Sequence, residues 1–246
     1  MRRTALLAIL TAFPIILVLP LTGCKTDNSA KQAESPNTDR DSGKTPAADE
    51  APNATPQPAP LTDHRPIIVC FGDSLTAGYG AEYGKSYPDF LQSDLDARGY
   101  HYRIVNLGIS GNTTKDGVER LYDVLALKPA IVIVEFGGND GLRGLRIEDT
   151  RTNLDKIVST LKSSGTKVAL AGITLPPDYG PDYIQQFNQT YTLLAKKYNV
   201  PLLPFLLKGV FGVQGMMQRD NTHATSEGNK IVATNVLPLI LPLLKK

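Results

Sequence analysis

Pro66-Ile67-Ile68-Val69-Cys70-Phe71-Gly72-Asp73-Ser74-Leu75 is an apolar run that stops abruptly on a glycine, a carboxylate and a serine. The run from Pro66 to Phe71 is continuous and β-branched, which predicts a strand buried on both faces. A strand of that kind calls for parallel neighbours reached through crossover helices, and the sequence on its C-terminal side has that pattern. Strands are predicted at Tyr102–Leu107, Ala130–Phe136, Lys167–Ile173 and Val200–Leu203. Between them lie helices at Tyr87–Arg98, with Gly99 as a stop, at Thr113–Leu127 despite Gly117, at Asp149–Ser163 and at Tyr183–Tyr198. Leu154, Ile157, Val158 and Leu161 form a single stripe at helical spacing on the third of these. Five strands alternating with helices predict an α/β domain, a parallel sheet covered on both faces. Ligands of such sheets sit outside the carboxyl ends of the strands. The run Ser226 to Leu244 begins as a helix that Pro238 and Pro242 are expected to break or kink; it is too interrupted to cross a membrane and is expected to pack on the domain.

Toward the N-terminus the composition changes. Residues 25–62 hold no aromatic or β-branched aliphatic residue and carry six prolines and one glycine, too little apolar surface to offset the ordering of the backbone. They are expected to form an extended tether with a root-mean-square span of roughly 35 Å. The folded unit is therefore residues 63–246, large enough to bury roughly 70% of its unfolded surface. Residues 1–23 read as an export signal, with Arg2 and Arg3 as the basic head and an apolar run to Leu21. The run is short for a spanning helix and contains Pro14 and Pro20. Its end, Leu21-Thr22-Gly23-Cys24, resembles the bacterial lipobox, which implies lipidation of Cys24 and a lipid anchor in the cell envelope. Lys25 does not resemble the aspartate that retains lipoproteins at an inner membrane, so an outer membrane or periplasmic face is expected.

Removing Arg2 and Arg3 from the 26 basic residues leaves 24, equal to the 24 acidic ones. That balance gives no reason to expect nucleic acid as a partner. With Cys24 assigned to lipid, Cys70 has no disulfide partner and reads as a small buried hydrophobe.

Ser74 ends a strand, so chemical partners are sought in the other loops that follow strands. A serine hydroxyl needs a base, and histidine is the usual one. Of His64, His101 and His223, only His223 falls near the expected site edge. Asp220 lies three residues before it, a spacing that lets its carboxylate accept from Nδ1 while Nε2 faces Ser74. Gly111 can bring its backbone N–H close to a substrate, and Asn139, flanked by Gly138 and Asp140, can offer its amide to a developing oxyanion. Leu206, Leu207, Val210, Phe211, Met216 and Met217 form an apolar stretch without regular periodicity, expected to serve either as an acyl pocket or as ordinary core.

GDSL at Ser74, the glycine of ISGN, GGND at Asn139 and DxxH at Asp220 and His223 stand in the order found in the SGNH, or GDSL, hydrolases. The resemblance covers about residues 66–225, and GGNDGLRG and LPPDYG are similar to the bacterial acyl-CoA thioesterase I, lysophospholipase and arylesterase subgroup. It implies a three-layer α/β/α, flavodoxin-like fold. It also implies that Ser74 is the nucleophile, that His223 is its base and that Asp220 orients the base. The N–H groups of Ser74 and Gly111 and the amide of Asn139 would form the oxyanion hole. Leu175 and Pro176 match a loop lining the acyl channel of the similar enzymes, and Met216 is added as a substrate-binding candidate from the apolar stretch. Two positions depart from the family pattern: Ala224 stands where proline is usual and Asn112 where aspartate is common. No G-x-S-x-G surrounds Ser74, so the usual α/β-hydrolase elbow is not expected. The expected activity is hydrolysis of an acyl ester or thioester by a monomer that needs no cofactor and no metal. The alternatives are an envelope carbohydrate O-deacetylase or a non-catalytic binding lipoprotein on the same fold.

Overall fold

The computed structural model describes residues 63–246; the predicted signal, Cys24 and the tether lie outside them. Five parallel strands, β1 (Ile67–Gly72), β2 (Arg103–Asn106), β3 (Ile131–Glu135), β4 (Lys167–Ala171) and β5 (Leu202–Leu203), form one sheet in the order β2-β1-β3-β4-β5. The helices are α1 (Ser74–Ala77), α2 (Tyr87–Ala97), α3 (Thr114–Glu119), α4 (Leu121–Ala126), α5 (Gly138–Leu142), α6 (Ile147–Ser163), α7 (Pro181–Tyr198) and α8 (Ser226–Ile240). Helix α2 packs on α8, and α6 packs on α3 and α7, so the predicted α/β fold with a five-stranded parallel sheet is the one observed.

The two inner strands beside each other explain their own sequences. Residues Ile68 to Phe71 of β1 are fully buried, and Ile131 to Val134 of β3 are buried with them, because helices cover both faces of the sheet. Their register runs from Ile68 opposite Ile131 to Gly72 opposite Glu135. The carboxyl end of β1 is thus set directly beside a charged residue type at the end of β3.

Two features differ from the sequence expectation. The predicted helix Thr113–Leu127 is interrupted at Arg120 and becomes α3 and α4. Arg120 is drawn away by long-range contacts, donating to the carbonyls of Leu107 and Gly72 and lying 5.0 Å over the Phe71 ring. Gly117 is tolerated in α3 because the helix packs so closely that a Cβ there would stand 3.0 Å from Ile157 Cδ1 and 3.1 Å from Phe136 Cζ. Finally, α8 runs through Pro238 to Ile240, and only then gives way to a 3-10 turn, Leu241–Leu243, that contains Pro242. Proline forfeits one backbone hydrogen bond, but burial of Leu237, Leu239 and Ile240 favours continuing the helix along the core.

Candidate active site

Ser74 opens α1, a single turn held at the carboxyl end of β1 by caps at both ends. Asp73 Oδ1 accepts the N–H of Leu75 at 3.0 Å, and Gly78, at φ 76°, closes the turn in the left-handed region. Gly72 is required for the turn to seat, since a Cβ there would lie 2.1 Å from Thr76 Oγ1 and 2.6 Å from Glu135 Oε2.

His223 reaches Ser74 from a loop 149 residues away, its Nε2 lying 2.8 Å from Ser74 Oγ. On the other side of the ring, Nδ1 lies 2.6 Å from Asp220 Oδ2. The second oxygen of Asp220 accepts the N–H groups of Thr222 and His223 at 2.9 and 3.1 Å. This turn folds the carboxylate back under the imidazole. Partial burial acts to raise the Asp220 pKa, but these hydrogen bonds from His223 and Thr222 outweigh it and hold the carboxyl at about 2. The loop is pinned by an antiparallel bridge between Met217 and Ala224. Its bonds, Gln218 N–H to His223 O and Thr225 N–H to Met216 O, do not use the Ala224 N–H. Alanine in place of the family's proline therefore leaves this anchoring intact. Gln218 Nε2 adds a tie to the Ser74 side of the site by donating to Tyr79 O.

Gly111 and Asn139 are brought to the same place from two other strand ends. Gly111 adopts φ 83°, and Arg143 steadies its peptide by donating to its carbonyl at 2.9 Å. No acceptor among the described residues takes the N–H of Ser74 or of Gly111. Asn139 Nδ2 donates to Asn112 O at 2.9 Å and, more weakly, to Asp73 Oδ2 at 3.3 Å. Its neighbour Asp140 is spent on structure, accepting from the N–H and hydroxyl of Thr114.

These groups face a cavity of about 380 Å³ whose exposed surface is mostly apolar. Leu175 and Pro176 line it, as do Leu207 and Phe211 of the irregular apolar stretch. Met216 does not. It sits at the base of the His223 loop, where its carbonyl accepts from Thr225 N–H, and its side chain packs on the core with Met217. Leu206 and Val210 are also core, fully buried. Cys70 lies beneath in β1, its thiol pushed up to about 12 by burial, too high to yield a nucleophilic thiolate.

A model of the GDSL-like lipase/acylhydrolase family matches residues 70–231, a span that holds all these groups. The chain belongs to this family. The esterase TesA of Pseudomonas aeruginosa is 43% identical over 178 residues, 72% of this chain and 89% of that protein. Thioesterase 1/protease 1/lysophospholipase L1 of Escherichia coli (strain K12) is 34% identical over 177 residues, 72% of this chain and 84% of that protein. The crystal structure of TesA superposes with a TM-score of 0.70 at 42% identity, covering 72% of this chain and 99% of that one.

Within this GDSL-family framework several residues escaped the sequence reading. Phe205, on the loop after β5, and Leu142, on α5, line the cavity. Phe205 was findable by the same rule that singled out the other strand-end loops. Leu142 was hidden because Gly138-Asn139-Asp140-Gly141 reads as a turn, whereas it forms the first residues of α5. Glu135, fully buried within hydrogen-bond reach of Asp73 and Thr76, was passed over inside a strand predicted from its apolar neighbours.

Proposed function

We propose that this protein is a serine carboxylic ester hydrolase acting on esters or thioesters with an apolar acyl part. The observation that carries the reading is the hydrogen-bonded relay from Ser74 Oγ through the His223 ring to Asp220, set in the wall of a cavity whose surface is mostly apolar. In the first half of the reaction His223 Nε2 takes the hydroxyl proton while Ser74 Oγ bonds to the acyl carbon. The oxyanion that forms is met by the unengaged N–H groups of Ser74 and Gly111. It is also met by the Asn139 amide, whose weaker bond to Asp73 is the one exchanged. His223 then gives its proton to the leaving alcohol or thiol as the bond to the acyl carbon breaks. Water, deprotonated by the same ring, releases the acid and restores the serine. Ionised Asp220 stabilises the imidazolium in both halves. Leu175, Pro176, Leu207 and Phe211 would take the acyl chain, and the mostly apolar surface that the cavity exposes weighs against a carbohydrate as the bound portion. The names of the relatives, esterase and thioesterase/lysophospholipase, fit the same class of substrate.

Hydrolysis of p-nitrophenyl esters from acetate to decanoate tests this reading. Wild type is expected to turn over the series, Ser74→Ala to fall to background, and Leu175→Ala to change the chain-length profile. A folded wild type without activity on any member would sink the esterase reading, and an unchanged profile in Leu175→Ala would remove that residue from the acyl pocket.

We further propose that the domain is tethered to the envelope membrane through a lipidated Cys24 and the Pro-rich segment, a reading that rests on the sequence alone. Mass spectrometry of the mature protein is expected to find an acylated Cys24 at the N-terminus, and an unmodified mature N-terminus would overturn it.

A further inference from the structure

The carboxyl group of Glu135 has no role in the relay, yet it is buried directly beneath it. Glu135 is fully buried. Its Oε2 accepts the Thr76 hydroxyl at 2.8 Å and lies 3.5 Å from Asp73 N. Thr76 is on the same helical turn as Ser74, and the Tyr87 hydroxyl stands 3.3 Å behind it. The other oxygen, Oε1, is buried with no donor among the described residues. No lysine, arginine or histidine among the described residues comes within ion-pair distance of this carboxyl. Instead its acidic neighbour is Asp73, whose N–H approaches Oε2 and whose own carboxyl is buried, and two adjacent carboxyl groups buried without a cation are accommodated only if one of them carries a proton. Asp73 in turn accepts from Leu75 N–H through Oδ1 and from Asn139 Nδ2 through Oδ2.

We propose that Glu135 is a positioning residue that works as a neutral acid: the proton it shares with Asp73 fixes the turn presenting Ser74 and, through Asp73, the amide of Asn139. Two charged carboxylates in that space would repel each other without a cation to offset them. An apolar side chain would strand the Asp73 N–H and leave the Thr76 hydroxyl only its longer contact with Tyr87. Burial raises both groups, Asp73 to about 6 and Glu135 well above the usual carboxylate range, where the Asp73 charge adds to the effect. The remaining titratable or charged groups around the pair do not displace the proton. Tyr87 and Tyr191 are themselves raised by burial, Cys70 is a buried thiol, and the attraction of a charged His223, which lowers Asp73, is outweighed by burial. Arg120 spends its guanidinium on the carbonyls of Leu107 and Gly72.

Glu135→Gln keeps a neutral group of the same shape that still donates to Asp73 and accepts from Thr76, whereas Glu135→Leu removes both bonds. Infrared difference spectra between wild type and Glu135→Gln at neutral pH are expected to show a protonated carboxyl band that only wild type has. On p-nitrophenyl butyrate, Glu135→Gln is expected to keep kcat within about threefold of wild type. Glu135→Leu should lose about 10²-fold in kcat with KM little changed, the scale of losing one oxyanion donor. Absence of the band, a Glu135→Gln variant as slow as Glu135→Leu, or a Glu135→Leu variant as fast as wild type would each overturn the proposal. The spectra do not depend on whether Glu135→Leu folds. The proposal rests on the esterase reading, which fluorophosphonate labelling of wild type tests separately. An unlabelled wild type sinks that reading, while a labelled one with a slow Glu135→Gln sinks only the role of Glu135.

Discussion

Two aspartates contact the machinery around Ser74, and their surroundings drive them in opposite directions. Asp220 lies on a loop with its side chain 40% exposed, accepts from two backbone N–H groups and an imidazole, and stays ionised down to about pH 2. Asp73 is 2% exposed, faces another buried carboxyl, and is raised to about 6. Water and donors favour the charged form at the first; burial disfavours it at the second. The same side chain can therefore serve as a permanent anion on one side of a nucleophile and as half of a proton-sharing pair on the other. Proximity in sequence is a poor guide to which is which: Asp73 adjoins Ser74, while Asp220 is brought there by the fold.

The comparison is broken most directly by removing each charge in turn. Asp220→Asn leaves the shape intact but replaces the acceptor at Nδ1, so the ring loses the tautomer and the stabilisation it needs. A loss of about 10⁴-fold in kcat is expected, as for the equivalent change in a serine-protease triad. Asp73→Asn keeps an acceptor for Leu75 N–H and touches no reacting atom, and a loss within about tenfold is expected, well short of losing an oxyanion donor outright. Steady-state kinetics on p-nitrophenyl butyrate measure both. Equal losses would show that the two carboxylates are not separated in role.

Legibility in the sequence follows the same division between local and long-range causes. The strands β1 and β3 were readable because burial on both faces forces unbroken apolar runs. Asp220 and His223 were readable because their relation is a local turn, and the pairing with Ser74 followed from the rule that strand ends gather in one place. Arg120 was not readable as a helix break, since what pulls it out of line are carbonyls 13 and 48 residues away. Met216 was misassigned to the pocket for a similar reason: an irregular apolar stretch gives no periodicity by which to tell Leu207 and Phe211, which face the cavity, from Leu206 and Val210, which face the core. Glu135 escaped because a single acidic residue at the end of a strand usually points to solvent, and nothing local announces that α1 will close over it.

The smaller expected effect is on stability, and it sharpens the comparison by separating the two aspartates along the pH axis. From an ordinary value of 3.8, Asp220 is lowered to about 2. Its ionised form therefore favours the folded state, with a contribution that is present above pH 3.8 and lost as pH falls toward 2. Asp73 is raised from 3.8 to about 6, so the folded state holds its proton more tightly than the unfolded chain. Its contribution is greatest below pH 3.8 and is lost as pH rises toward 6. For this buried group the shift corresponds to on the order of 3 kcal/mol across that window. Thermal melts of Asp73→Asn and wild type should therefore diverge as pH rises from 3.8 to 6, with the variant the more stable by several degrees at neutral pH. Melts of Asp220→Asn should lie below wild type above pH 3.8 and converge with it as pH falls from 3.8 toward 2, where the wild type loses its advantage. A variant of Asp73 that is no more stable than wild type at pH 7 would mean that the buried pair carries no electrostatic cost. The turn beneath Ser74 would then be held by packing alone, and the contrast with Asp220 would reduce to a difference in exposure.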